Sequence, residues 1–230
     1  MKQSLILSIE TSGAACSVAL SQGGSLVAEV TLDDSNRQSS MLVPAIESLL
    51  LKCSKKMSDC DAVAVSSGPG SYTGLRVGVS TAKGLCYGLG KPLVAVPTLD
   101  VLLAEAMETE GCTDADYYVP MLDARRMEVY QAVYDAGGRC IEEVSAKVLD
   151  EASYADILAK GKVVFIGTGA RKYGDAFPHP NGIYVPAAPK AGFMASAAQA
   201  AYDAGRFEDV AYFEPFYLKE FVAIVKKNPL

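Results

Sequence analysis

The chain predicts an α/β protein of two lobes, each built as a βββαβαβα unit. Apolar runs of strand length alternate with stretches of helical periodicity, glycine-marked turns separate them, and the same order of elements occurs in both halves. With 230 residues, 50% of them hydrophobic and 21% charged, the chain is long enough to bury a sizeable core.

In the first half, residues 4–10 read as a strand, and 15–20 as a second after the turn Thr11-Ser12-Gly13. Gln22-Gly23-Gly24 marks a hairpin into a third strand over 25–32. A helix over 39–53 places Leu42, Ile46, Leu49, Leu50 and Cys53 on one face. Strand 62–67, a glycine-rich turn, helix 75–89, strand 93–96 and helix 99–107 complete the unit. The second half repeats the order, with strands over 117–122, 128–134 and 140–149, a helix over 153–159, a strand over 163–167, a segment without assigned structure, a strand over 183–185 and a helix over 193–204. The division falls between residues 1–108 and 109–230, with the C-terminal segment a candidate to pack back on the first lobe.

Composition excludes several functions. Net charge is −6, from 27 acidic and 21 basic side chains, so the chain alone lacks the basic footprint of a nucleic-acid binder. The single histidine, His179, lies between two prolines, which excludes His-x-x-x-His metal pairs and a histidine-based triad with local support. No metal site is expected. The six cysteines lie far apart without C-x-x-C, as reduced thiols packed in a cytosolic protein do. The apolar run 5–9 is too short for a signal peptide or a membrane span. The cytoplasm is the expected location.

The turn Ser67-Gly68-Pro69-Gly70-Ser71 between a strand and a helix points backbone N–H groups and a helix N-terminus at one place, as anion sites do. It matches neither standard phosphate loop. Leu75 follows Gly74 where a Walker loop has lysine, and Gly70 and Gly74 are one residue too far apart for G-x-G-x-x-G. It is therefore either an altered phosphate cradle, with Ser67, Gly68, Gly70 and Ser71 around the anion, or a tight turn beside a close-packed helix.

A doubled βββαβαβα unit with an acidic turn after the first strand of each half is the pattern of actin-like, ribonuclease-H-like ATPases. Ligands in such layouts bind at carboxyl ends of strands. Glu10, Thr11 and Ser12 hold that place in the first lobe, Asp123 and Arg125 in the second, and Gly167 and Gly169 end a later strand. Together they suggest a vestigial nucleotide cleft.

Four segments carry a closer resemblance: Leu7-Ser8-Ile9-Glu10-Thr11-Ser12 with Ser17-Val18-Ala19-Leu20, the glycine segment Ser67 to Gly78, Asp123-Ala124-Arg125-Arg126-Met127-Glu128-Val129-Tyr130, and Pro215-Phe216-Tyr217-Leu218. They resemble the TsaB (YeaZ-type) family, over nearly the whole chain. That resemblance implies an actin-like fold and a cytosolic, non-catalytic subunit of the machinery that makes threonylcarbamoyladenosine in tRNA. The implied partners are a metal-bearing, catalytic TsaD-type paralogue and a TsaE-type ATPase subunit, with tRNA met only through the complex. The resemblance further implies self-association through the same surface, no intrinsic cofactor, and ATP or ADP at the complex interface. Two positions depart from the family pattern: Glu10 stands where Asp is usual, and Gln38 replaces a histidine in Arg37-Gln38-Ser39.

The helices offer a surface for such a partner. Gly74, Gly78, Ala82 and Cys86 form a ladder of small residues that share a helix face. The ladder packs either on the lobe's own sheet or in a seam with a partner helix. The preceding helix, with Ser39, Leu42, Val43, Ile46, Leu49 and Leu50, carries more apolar residues than one stripe needs. On the seam reading, Leu42→Asp or Leu49→Asp breaks partner binding while the lobe still folds. Two other functions compete: a self-sufficient actin-like ATPase or small-molecule kinase using Glu10 and Asp123, and a peptidase using Ser71 or Ser12 with Lys83 as base.

Overall fold

A computed structural model describes residues 3–32 and 38–219. The first sheet holds β1 (Leu5–Glu10), β2 (Cys16–Gln22), β3 (Ser25–Leu32), β4 (Ala62–Ser66) and β5 (Leu93–Val96), in the order β3-β2-β1-β4-β5. The second holds β6 (Tyr117–Asp123), β7 (Glu128–Asp135), β8 (Cys140–Val148), β9 (Val163–Ile166) and β10 (Gly182–Val185), in the order β10-β9-β6-β7-β8. Matched strand for strand, the two orders are the same. In each sheet the first strand pairs antiparallel with the second and parallel with the fourth. This is the two-lobed actin-like architecture expected from the sequence.

The helices are α1 (Gln38–Lys52), α2 (Tyr72–Leu89), α3 (Thr98–Glu108), α4 (Ala155–Leu158), α5 (Ala170–Ala176) and α6 (Ala195–Asp203). Ser71 caps α2 by accepting the Gly74 N–H at 3.2 Å, and Gly90 ends it in the left-handed conformation. Two expectations change in the second half. The helix expected over 153–159 shrinks to the single turn α4, because Tyr154 is left-handed (φ 62°) and its ring packs edge-on against Phe165 and Tyr173. The stretch after Gly167, left without structure from sequence, contains α5.

One core lies between the first sheet and α1 and α2, built on Leu7, Val18, Leu42, Leu49, Val63 and Val79. On the other face of that sheet, Ile6, Ala62, Val94 and Val96 meet Met194, Ala198 and Ala201 of the α6 region. Conversely, Leu99, Leu102 and Ala106 of α3 pack on Tyr118, Val164 and Ile166 of the second sheet. The division at 108/109 is thus crossed both ways: α3 covers the second sheet and α6 covers the first. Each helix must bury its apolar stripe, and it does so on the sheet of the opposite half.

Candidate functional site

The carboxyl end of β1 and the turn before α2 form a single knot. Thr11 Oγ1 donates to the Gly74 carbonyl at 2.8 Å, and the Ser71 N–H donates to the Ser12 carbonyl at 2.7 Å. A methyl group on Gly74 would collide with the Thr11 carbonyl oxygen, and one on Gly78 with the Thr11 hydroxyl. On Gly70 it would lie 2.6 Å from Ser12 Cβ. The glycines exist so that α2 can press on this turn.

Two donors expected of a phosphate cradle, at Ser67 and Ser71, are taken up within the fold. The Ser67 N–H donates to the Val96 carbonyl at 2.9 Å, the Ser71 N–H to Ser12, and the Leu75 N–H to the Ser71 carbonyl at 2.8 Å. Gly68 is closed over by the Phe216 carbonyl, and the Phe216 N–H donates to the Ser67 carbonyl at 2.7 Å. The chain after α6 supplies this cover as a strap. Glu208 pairs with Leu93, the Lys83 ammonium donates to the Ala211 and Phe213 carbonyls at 3.1 and 2.9 Å, and Tyr217 lies on Tyr72 with centroids 4.7 Å apart. The C-terminal segment expected to pack back on the first lobe does so here through Pro215-Phe216-Tyr217-Leu218 and the residues before it. Lys83, so engaged, is not placed to act as a base for Ser71 or Ser12.

Glu10 sits fully buried at the heart of the knot. Its Oε1 accepts the Ser12 N–H, while Oε2 has no hydrogen-bond partner among the described residues. Burial pushes its pKa above the ordinary 4.5; the Ser12 hydroxyl and N–H and the Ser66 hydroxyl pull the other way more weakly. The unfolded chain ionises Glu10 above about pH 4.5, whereas the folded chain holds the proton to higher pH, so folding loses stability as pH rises through that window. Glu10→Gln keeps the acceptor for Ser12 and removes the titration. It is expected to stabilise the protein at pH 8 and to lose that advantage toward pH 4.5. Urea unfolding at both pH values checks this; an equal difference at both would contradict it.

Asp123, Gly167 and Gly169 form a second knot at the end of β6. Asp123 accepts the Arg125 N–H at 2.7 Å and pairs with Lys172 at 2.6 Å. Gly167 is closed by the Met121 carbonyl, and a methyl group on Gly169 would lie 2.7 Å from Val129 Cγ1. These glycines also serve close packing.

The partner-seam residues are divided by the fold. Leu42, Ile46, Leu49 and Leu50 are buried in the first lobe's core, as are Ala82 and Cys86, and Gly74 and Gly78 face Thr11. The small-residue ladder therefore packs within the lobe, and so do four leucine and isoleucine positions of α1. Ser39 and Val43 are exposed; Arg37 and the side chain of Gln38 lie outside the described residues. On the outer side of α1, Val43 and Leu51 stand 47% and 80% exposed. On the outer side of the neighbouring α2, Ser80, Gly84 and Gly88 form another ladder, with Tyr87 85% exposed beside it. Apart from the backbone of α2 itself, nothing among the described residues lies within 4 Å of where a Cβ on Gly84 or Gly88 would stand.

Comparison with known proteins follows the same lines. A family model described as TsaD: tRNA N6-adenosine threonylcarbamoyltransferase matches residues 27–224. The tRNA threonylcarbamoyladenosine biosynthesis protein TsaB of Escherichia coli (strain K12) is 30% identical over 228 residues, covering 95% of this chain and 96% of that protein. The chain belongs to the TsaB family. TsaB of Bacillus subtilis (strain 168) is 35% identical over 139 residues, 60% of this chain and 58% of that one. A Pseudomonas aeruginosa structure described as an uncharacterized protein with similarity to peptidase YEAZ has a TM-score of 0.82 at 27% identity, covering 94% of this chain and all of that one. No described helix is long and apolar enough to cross a membrane.

Proposed function

We propose that this chain acts in tRNA threonylcarbamoyladenosine biosynthesis as a non-catalytic scaffold or activator. It docks a TsaD-type catalytic protein on the outer face of α1 and α2, a TsaE-type ATPase joins them, and tRNA is modified by the assembly. The outer ladder carries this reading. Helix-interior glycines cost about 1 kcal/mol each relative to alanine, and no contact inside the lobe requires Gly84 or Gly88. A ridge of small residues on α2, with Tyr87 exposed on that helix and Val43 and Leu51 exposed on the neighbouring α1, allows close approach of a second pair of helices. The turn pressed against α2 and the fully buried Glu10 support a chain without catalysis of its own, with nucleotide at the seam instead.

Co-purification with the TsaD-type protein tests it. Gly84→Leu and Leu51→Asp are expected to abolish the complex while the isolated chain keeps its fold; retention by both variants would overturn the assignment. Gly84→Ala is expected to stabilise the isolated chain by about 1 kcal/mol in urea unfolding while weakening the complex.

A further inference from the structure

The turn between β6 and β7 holds two consecutive arginines in left-handed backbone, Arg125 at φ 71° and Arg126 at φ 49°. Side chains other than glycine, asparagine and aspartate adopt that conformation reluctantly, so the surroundings must impose it. They do. The Ala124 N–H donates to the Glu128 carbonyl at 3.0 Å, the Glu128 N–H donates to the Arg125 carbonyl at 3.1 Å, and Asp123 accepts the Arg125 N–H. Lys172 reaches in from α5 to the Asp123 carboxylate and to the Arg126 and Glu128 carbonyls.

The charges are arranged as tightly as the backbone. Both carboxylates of the turn are matched: Asp123 by Lys172, and Glu128 by Lys219 at the end of the strap. The two guanidinium groups remain. Both arginines are exposed, and neither side chain has an ion pair or hydrogen bond among the described residues. On a chain of net charge −6, this tip is a local surplus of two fork-shaped cations on a rigid mount. We propose that Arg125 and Arg126 contact the phosphodiester backbone of tRNA, so that an otherwise acidic subunit touches the substrate at one place. This rests on the reading of the chain as part of a tRNA-modifying assembly. Guanidinium pairs phosphate oxygens in bidentate fashion, and on a chain of net charge −6 a tip with two unpaired cations is a favourable place for RNA to approach.

Fluorescence anisotropy of labelled tRNA, titrated at several KCl concentrations with the chain alone and with its complex with the TsaD-type protein, reads the contact directly. Asparagine tolerates the left-handed backbone and carries no charge. The pair Arg125→Asn and Arg126→Asn is therefore expected to weaken tRNA binding by on the order of tenfold and to lower the salt slope by about two. Arg125→Lys with Arg126→Lys should retain most of the affinity. Removing two other exposed cations, by Arg139→Asn with Arg171→Asn, should leave binding unchanged although net charge shifts equally. Parent-like affinity and salt slope in the asparagine pair, or no tRNA binding by the parent, would overturn the proposal. So would displacement of tRNA by ATP or inorganic phosphate at equal concentration, which would make the tip a nucleotide subsite. Threonylcarbamoyl transfer is measured separately: transfer that proceeds without the chain would refute the scaffold reading and leave the affinity result standing.

Discussion

Gly74→Ala is expected to destabilise the first lobe by about 3 kcal/mol, against a helix-propensity gain of about 1 kcal/mol. The added methyl would overlap the Thr11 carbonyl oxygen, and the turn that carries that oxygen cannot retreat cheaply. Ser12 is held through its N–H by Glu10 and through its carbonyl by Ser71, and Thr11 Oγ1 is bonded to Gly74 itself. Moving any one of them leaves a buried polar group without its partner. The same substitution at Gly84, on the open side of α2, should change stability with the opposite sign. Urea midpoints of the two variants decide the matter. If Gly74→Ala costs no more than Gly84→Ala, the knot does not explain the glycine.

This pair also shows why sequence alone left the facing of the α2 ladder open. Gly74, Gly78, Ala82 and Cys86 repeat every four residues, and so do Ser80, Gly84 and Gly88. A four-residue period says that small residues share a face, not which face. The neighbours held the missing signal. Leu75 and Val79 flank the first ladder and are buried, whereas Lys83 and Tyr87 flank the second and remain at the surface. Strand order was legible because apolar runs, hairpin glycines and the repeated βββ opening leave few topologies. The exchange of α3 and α6 was not, since an apolar stripe announces burial without naming the sheet that provides it. At the site, the carboxylate at the end of β1 was found from its place in the pattern. Beside its near neighbour Ser12, it meets Ser66 at the end of β4, a contact distant in sequence that no spacing encodes.

Leu49→Asp is expected to abolish folding of the first lobe, and with it any reading of Leu49 as a partner contact. Leu49 is 0% exposed in the core between the sheet and α1 and α2. Truncating a buried leucine costs about 2–5 kcal/mol. An aspartate there must also stay neutral, which at pH 7 costs about 4 kcal/mol from its ordinary pKa, or carry an unpaired charge into an apolar core at greater cost. The sum rivals the whole stability of a domain, about 5–15 kcal/mol. Leu42→Asp faces the same conditions. Leu51→Asp, two residues along α1 and 80% exposed, should stay within about 0.5 kcal/mol of the parent. Circular dichroism and urea unfolding separate the cases: a cooperative transition in Leu49→Asp at the parent midpoint would contradict the core assignment. Only a variant such as Leu51→Asp, which leaves the lobe intact, can report on partner binding, because a subunit that has lost its core loses every surface at once.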